Sequence, residues 1–192
     1  MRKKTVLMIV FILLALGQLY VPASMILERN DILKTGKEFR FRTATIDPSD
    51  PFRGKYVWLN FDDAGIEVAD TTWNTNETVF AVLAEDSSGM AKISSIHREK
   101  PDGTDYLKTT VSYVSYNPTK VYLNYPFDRL YMEESKAYPA EQAYAEAAMD
   151  SVLTYALVNI KDGEAVLKDV HINGTSIREI VRQTMETRQN EN

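Results

Sequence analysis

The sequence predicts a mainly β, α+β protein. An antiparallel, barrel- or sandwich-like domain is carried on one N-terminal transmembrane helix, with an Ala-rich internal helix and a C-terminal helix. Three observations predict it. An apolar run from Thr5 to about Ile26 follows Arg2, Lys3 and Lys4. Short alternating segments, punctuated by Gly, Pro and Asp, fill most of the remainder. Asp162-Gly163 joins two apolar segments as a two-residue hairpin turn does.

The apolar run comes first. A bilayer core of ~30 Å takes about 20 helical residues to cross, and Thr5–Ala23 has that length. The three basic residues hold its N-terminal end in the cytoplasm. The polar bulk of the chain is then extracytoplasmic, or periplasmic outside a cell (inner) membrane crossed once. A cleaved signal peptide is the rival, since Ala15-Leu16-Gly17 and Val21-Pro22-Ala23 resemble cleavage sites. The run exceeds a usual signal core of about 7–15 residues, which favours an uncleaved anchor. Pro22 suits the first turn of a second, membrane-proximal helix, with Met25, Ile26, Leu27, Ile32 and Leu33 at helical spacing up to a Gly36 cap. The expected organisation is 1–26 basic tip and anchor, 27–36 membrane-proximal helix or linker, 37–173 β-rich domain, and 174–192 C-terminal helix and tail.

In the outer domain, Lys37–Thr45 alternates, with Phe39, Phe41 and Thr43 on one face and Arg40 and Arg42 on the other. Lys55–Phe61 reads as a second strand. Thr78–Ala84 and Ala91–Arg98 flank a Ser87-Ser88-Gly89 turn. Tyr106–Tyr113 follows Pro101-Asp102-Gly103, another hairpin signal, and Lys120–Asn124 is a short strand. Pro139 opens a helix rich in Ala140, Ala143, Ala145, Ala147 and Ala148. Ser151–Ile160 and Glu164–Val170 form the Asp-Gly hairpin, pairing Lys161 with Glu164, Ile160 with Ala165 and Val158 with Leu167. Ile177, Ile180, Val181 and Met185 recur at helical spacing within Ser176–Arg188.

Composition narrows the chemistry. The 192 residues carry a net charge of −5, and removing the three bases of the tip leaves −8. Such a domain is a poor partner for nucleic acid or anionic lipid. There is no Cys, so disulfides, thiolate catalysis and Cys-based zinc sites are excluded. His97 and His171 lack zinc-ligand spacing. No metal, cofactor or catalytic set is expected.

One segment stands apart: Asp47-Pro48-Ser49-Asp50-Pro51-Phe52-Arg53-Gly54-Lys55-Tyr56-Val57-Trp58-Leu59-Asn60-Phe61. Its prolines and aspartates make a rigid turn, and Gly54 allows close backbone approach. Tyr56, Trp58 and Asn60 then share one face, and Val57, Leu59 and Phe61 the other. Asp47 and Asp50 are candidate ligands for a hard cation but more simply cap the turn. The segment resembles the bacterial GDYXXLXY protein family. Gly54, Tyr56 and Leu59 match its motif, while Lys55 replaces the Asp and Phe61 the final Tyr. Tyr131-Met132-Glu133-Glu134 resembles a second family patch. The resemblance implies a membrane-anchored extracytoplasmic protein without an established activity, accompanying multi-spanning membrane proteins. Lys55 and Phe61 remove any acid or hydroxyl role at those places and favour a structural motif strand.

Expected site residues are therefore Asp47, Asp50, Arg53, Gly54, Tyr56, Leu59 and Phe61, with Tyr131, Glu133 and Glu134 as a second patch. An Arg53–Glu134 pair would tie the two together. Tyr113, Tyr116, Tyr122, Tyr125, Phe127 and Tyr131 are candidates to line a groove, although strands favour aromatics in any case. The expected function is a binding or accessory protein with an integral membrane partner, held to the bilayer by its helix. The alternative is a membrane-tethered hydrolase using carboxylates or Ser24, the last in a setting like that of a signal peptidase.

Overall fold

The structure is a computed structural model that describes residues 2–44, 56–62, 64–116 and 118–190. Its first element, α1 (Arg2–Thr35), is about 51 Å long at 1.5 Å per residue. Val6, Leu7, Phe11, Leu14 and Leu19 are all exposed on it. The helix is long and apolar enough to cross a membrane. It does not restart at Pro22, as the sequence suggests, but runs straight through. Proline removes one backbone donor from a helix already propagating on both sides, and an apolar helix of this length outweighs that loss.

Twelve strands and two further helices follow among the described residues. They are β1 (Lys37–Ala44), β2 (Tyr56–Trp58), β3 (Asn60–Phe61), β4 (Gly65–Glu67), β5 (Thr78–Glu85), β6 (Ala91–His97), β7 (Tyr106–Ser115), β8 (Lys120–Asn124) and β9 (Arg129–Tyr131). Then come α2 (Glu134–Met149), β10 (Thr154–Lys161), β11 (Glu164–Ile172), β12 (Thr175–Ser176) and α3 (Ile177–Asn190). One antiparallel sheet has the order β12-β11-β10-β1-β3 and another β4-β8-β7-β5-β6, and β2 and β9 form a separate two-stranded ribbon. The result is a β-rich α+β fold with a nearly closed, barrel-like sheet. A bridge between Leu107 and Gly163 joins the two larger sheets, and Lys108 N–H donates to the Gly163 carbonyl at 2.9 Å.

Pattern dictates burial in β1, where Phe39, Phe41 and Thr43 are buried and Arg40 and Arg42 exposed. The β10–β11 hairpin adopts the expected register, Lys161 with Glu164, Ile160 with Ala165 and Val158 with Leu167. Asp162 and Gly163 take φ of +51° and +86°, which a type I′ turn requires. Phe41, Phe61, Tyr125 and Phe127 meet in one aromatic cluster, with centroids 4.9–6.3 Å apart. Ala140, Tyr144 and Ala147 of α2 and Ile177 and Val181 of α3 complete the core. Each fully buried large side chain contributes about 1.5–3 kcal/mol.

Two other expectations change. Helix α2 starts at Glu134, placing Pro139 in its second turn. The bond Pro139 cannot make belongs to the carbonyl of exposed Ser135, which water reaches. The Pro101-Asp102-Gly103 turn does not close a hairpin. Strands β6 and β7 lie on opposite sides of β5, so the connection crosses over the end of that strand.

Candidate functional site

The segment with the family motif changes partners part-way along. Strand β2 pairs with β9, whereas β3 pairs with β1. Between them Leu59, 1% exposed, donates its N–H to the Asp128 carbonyl at 2.7 Å. The expected single strand over Lys55–Phe61 is thus two short ones that turn a corner at Leu59. The two-residue side-chain period survives the corner. Val57 and Leu59 are buried and Phe61 half-buried, opposite half-buried Tyr56 and Trp58 and exposed Asn60.

In the β2–β9 ribbon, Tyr56 pairs with Tyr131, Val57 with Leu130 and Trp58 with Arg129. Val57 and Leu130 enter the core. Alternation turns the other four side chains outward. Tyr56 and Tyr131 have centroids 5.5 Å apart, and Tyr56 and Trp58 6.3 Å. The Arg129 guanidinium lies 4.6 Å from the Trp58 ring and 5.3 Å from Tyr56. Planar guanidinium on an indole face is a favourable cation–π arrangement. The Tyr131 hydroxyl, and after it the Asp128 carboxylate 3.6 Å away, raises the Arg129 pKa. This face offers large amphipathic rings around a fixed positive charge, the chemistry of a binding surface.

Glu133 immediately precedes α2 and pairs with Lys136 at 2.8 Å. That hydrogen bond lowers its pKa. Glu134 lies exposed in the first helical turn, where the helix dipole favours an acid. Asp47, Asp50, Arg53 and Gly54 lie outside the described residues, and the proposed Arg53–Glu134 pair with them. The motif strand and the second patch nevertheless meet, through backbone pairing of Tyr56 with Tyr131. The aromatic set divides. Tyr125 and Phe127 are core, Tyr113 and Tyr122 stack at 4.2 Å elsewhere, and Tyr131 alone of the set joins this ribbon. Trp58 was visible in the period-2 pattern. Arg129 lies on a strand of only three residues, too short for its alternation to mark it in the sequence.

A second feature fixes how this face is held. Buried Asn159, on β10, donates its side-chain amide to the Leu33 carbonyl at 3.0 Å and to those of Ile32 and Gly36 at 3.4 Å. The Leu33 carbonyl lies in the last turn of α1, where helices lack internal donors, and Gly36 directly follows the helix. Lys161 adds a 2.6 Å ion pair to Asp31 and a 2.9 Å bond to Thr35. Asp31 is lowered and Lys161 raised in pKa by that pair. Gly36 N–H donates to the Ile32 carbonyl at 2.8 Å, and a Cβ at Gly36 would lie 2.5 Å from that same oxygen. Helix α1 is therefore fastened to the sheet rather than hung from a linker.

The family model described as GDYXXLXY protein matches residues 18–170. No curated protein and no solved structure gives a match. That match begins inside the apolar helix, takes in the β2–β9 ribbon and ends in β11, covering most of the chain, and this protein belongs to the GDYXXLXY protein family.

Proposed function

We propose that this is a single-pass membrane protein whose extracytoplasmic domain binds an integral membrane partner as a non-catalytic accessory subunit. The observation that carries the reading is the capping of α1 by Asn159 on β10. A tether needs only length, and a flexible one serves an enzyme well. A helix locked to the sheet instead holds the Tyr56–Trp58–Arg129–Tyr131 face at a set height and rotation, as joint recognition of a span and an outer surface requires. Arg2, Lys3 and Lys4 orient the N-terminus to the cytoplasm.

The test is photo-crosslinking in native membranes from Leu13 on the apolar face and, separately, from Tyr131. The expected result is the same membrane protein captured at both positions. A short flexible Gly-Ser insertion after Gly36 should abolish capture from Tyr131 and leave capture from Leu13. Absence of a common partner, or indifference to the insertion, overturns the reading. The alternative, a membrane-tethered hydrolase, places Ser24 within α1, where its hydroxyl donates to the Val21 carbonyl at 2.8 Å. No specific observation favours it.

A further inference from the structure

A groove of about 380 Å³ runs between α1, β9, β11 and the start of α3. Three arginines line it, Arg29 from α1, Arg129 from β9 and Arg178 from α3, against a single carboxylate, Asp128. Phe127 and Leu167 supply apolar wall. The domain is acidic as a whole, so three arginines from three distant segments lining one groove run against its overall charge. Arg178 is 3.6 Å from Asp169, but Asp169 also accepts from Ser176 at 2.6 Å and from the Val170 N–H. Arg129 lies over Trp58 and is engaged by Tyr131 and Asp128, so it adds positive charge to the groove wall rather than free donors.

Position selects the ligand. Arg29 lies six residues beyond Ala23, about 9 Å along the helix axis. The polar headgroup layer outside a ~30 Å core is roughly 5–8 Å thick on each side. The Arg29 backbone therefore stands just outside that layer, and its side chain, which leaves the helix tilted toward the N-terminus and the bilayer, is long enough to reach back to the lipid phosphates. A smaller groove lined by Met25, Glu28 and Glu164 adjoins at Arg29 and brings the apolar part of α1 up to the site.

We propose that this groove binds the phosphate of an anionic phospholipid headgroup, with Arg29 and Arg178 as paired donors. Guanidinium forks match phosphate oxygens bidentately. Bound lipid would set the depth and tilt of the domain on the membrane. The proposal rests on the membrane placement given above.

The experiment places the full chain in phosphatidylcholine nanodiscs with and without phosphatidylglycerol and follows unfolding by tryptophan fluorescence. The expected result is a higher midpoint with phosphatidylglycerol. The Arg29→Gln, Arg178→Gln double variant should lose that rise while keeping its midpoint in phosphatidylcholine alone. If the double variant unfolds, the single variants are compared, each expected to lose part of the rise. Equal wild-type midpoints in both lipids overturn the proposal. So does an undiminished response in the variants, which would mean unspecific surface charge. Glycerol 3-phosphate in solution reproducing the rise would identify a soluble-phosphate site and overturn the lipid assignment. A chain that fails to enter the discs overturns the membrane placement, and this proposal with it, whereas a chain that enters but ignores the lipid overturns the groove alone.

Discussion

Tyr56 stands directly across from Tyr131 in the β2–β9 ribbon, their ring centroids 5.5 Å apart. Backbone pairing thus joins the family motif to a patch encoded far along the chain. Its inward and outward faces have separable roles. Leu59→Ala, which empties a fully buried site, should cost about 2–5 kcal/mol. Tyr131→Ala, at 62% exposure, should leave stability within about 1 kcal/mol and abolish partner crosslinking. Denaturant midpoints and crosslink yield measure the two. A large loss of stability in Tyr131→Ala would make the face structural.

Asn159 tests the junction. Asn159→Ala strips the carbonyls at the end of α1 of a buried donor and should cost about 1–3 kcal/mol. Asn159→Asp should cost more, because a carboxylate would face the negative end of the helix dipole. Spin labels on α1 and β10 should show one sharp distance in the wild type and a broadened one in both variants. An unchanged distribution would mean the other junction contacts suffice.

Gly163 sits at φ +86°, and a Cβ there would run into the Tyr106 ring. Gly163→Ala should destabilise by roughly 2 kcal/mol or more, from left-handed backbone and the displaced ring together. Alanine at half-buried Gly89, with nothing near its Cβ position, should cost only the backbone part, about 1–2 kcal/mol. Thermal midpoints of the two alanine variants give the comparison. Equal losses would show that the Tyr106 ring yields freely.

Acid sensitivity follows from Asp70. Its carboxylate accepts from the Thr72 hydroxyl at 2.7 Å, the Thr72 N–H at 2.8 Å and Arg98 at 2.9 Å, and these hold its pKa down at about 2. Arg98 also bonds Glu77 at 2.6 Å and lies 3.9 Å over Trp73. The folded state binds this proton less readily than the unfolded chain. Asp70 therefore adds stability above the ordinary value of 3.8, and that contribution is lost as pH falls from about 4 towards about 2. Asp70→Asn should flatten this part of a midpoint-against-pH curve. An identical slope would show that other carboxylates dominate.

Much of the fold was legible because its signals are local. The alternation of Phe39, Phe41 and Thr43 fixed a buried face, and Asp162-Gly163 fixed a register through the φ it demands. The two internal prolines misled because proline states a local cost and not whether the surrounding helix outweighs it. Strand β9 is three residues long and carries too short a period to be read alone. The Pro101–Gly103 turn was seen, but a turn residue does not say whether the next strand pairs beside the last or crosses it.

By itself the sequence determined an apolar helix of membrane-crossing length, a β-rich body and the inward and outward faces of the motif strand. Each follows from periodicity or composition within a short window. Only the tertiary structure decided that Tyr56 faces Tyr131, that Asn159 caps α1, and that Arg29, Arg129 and Arg178 share a groove. Those are meetings of residues distant along the chain, set by strand pairing and packing across the barrel, which no local window contains.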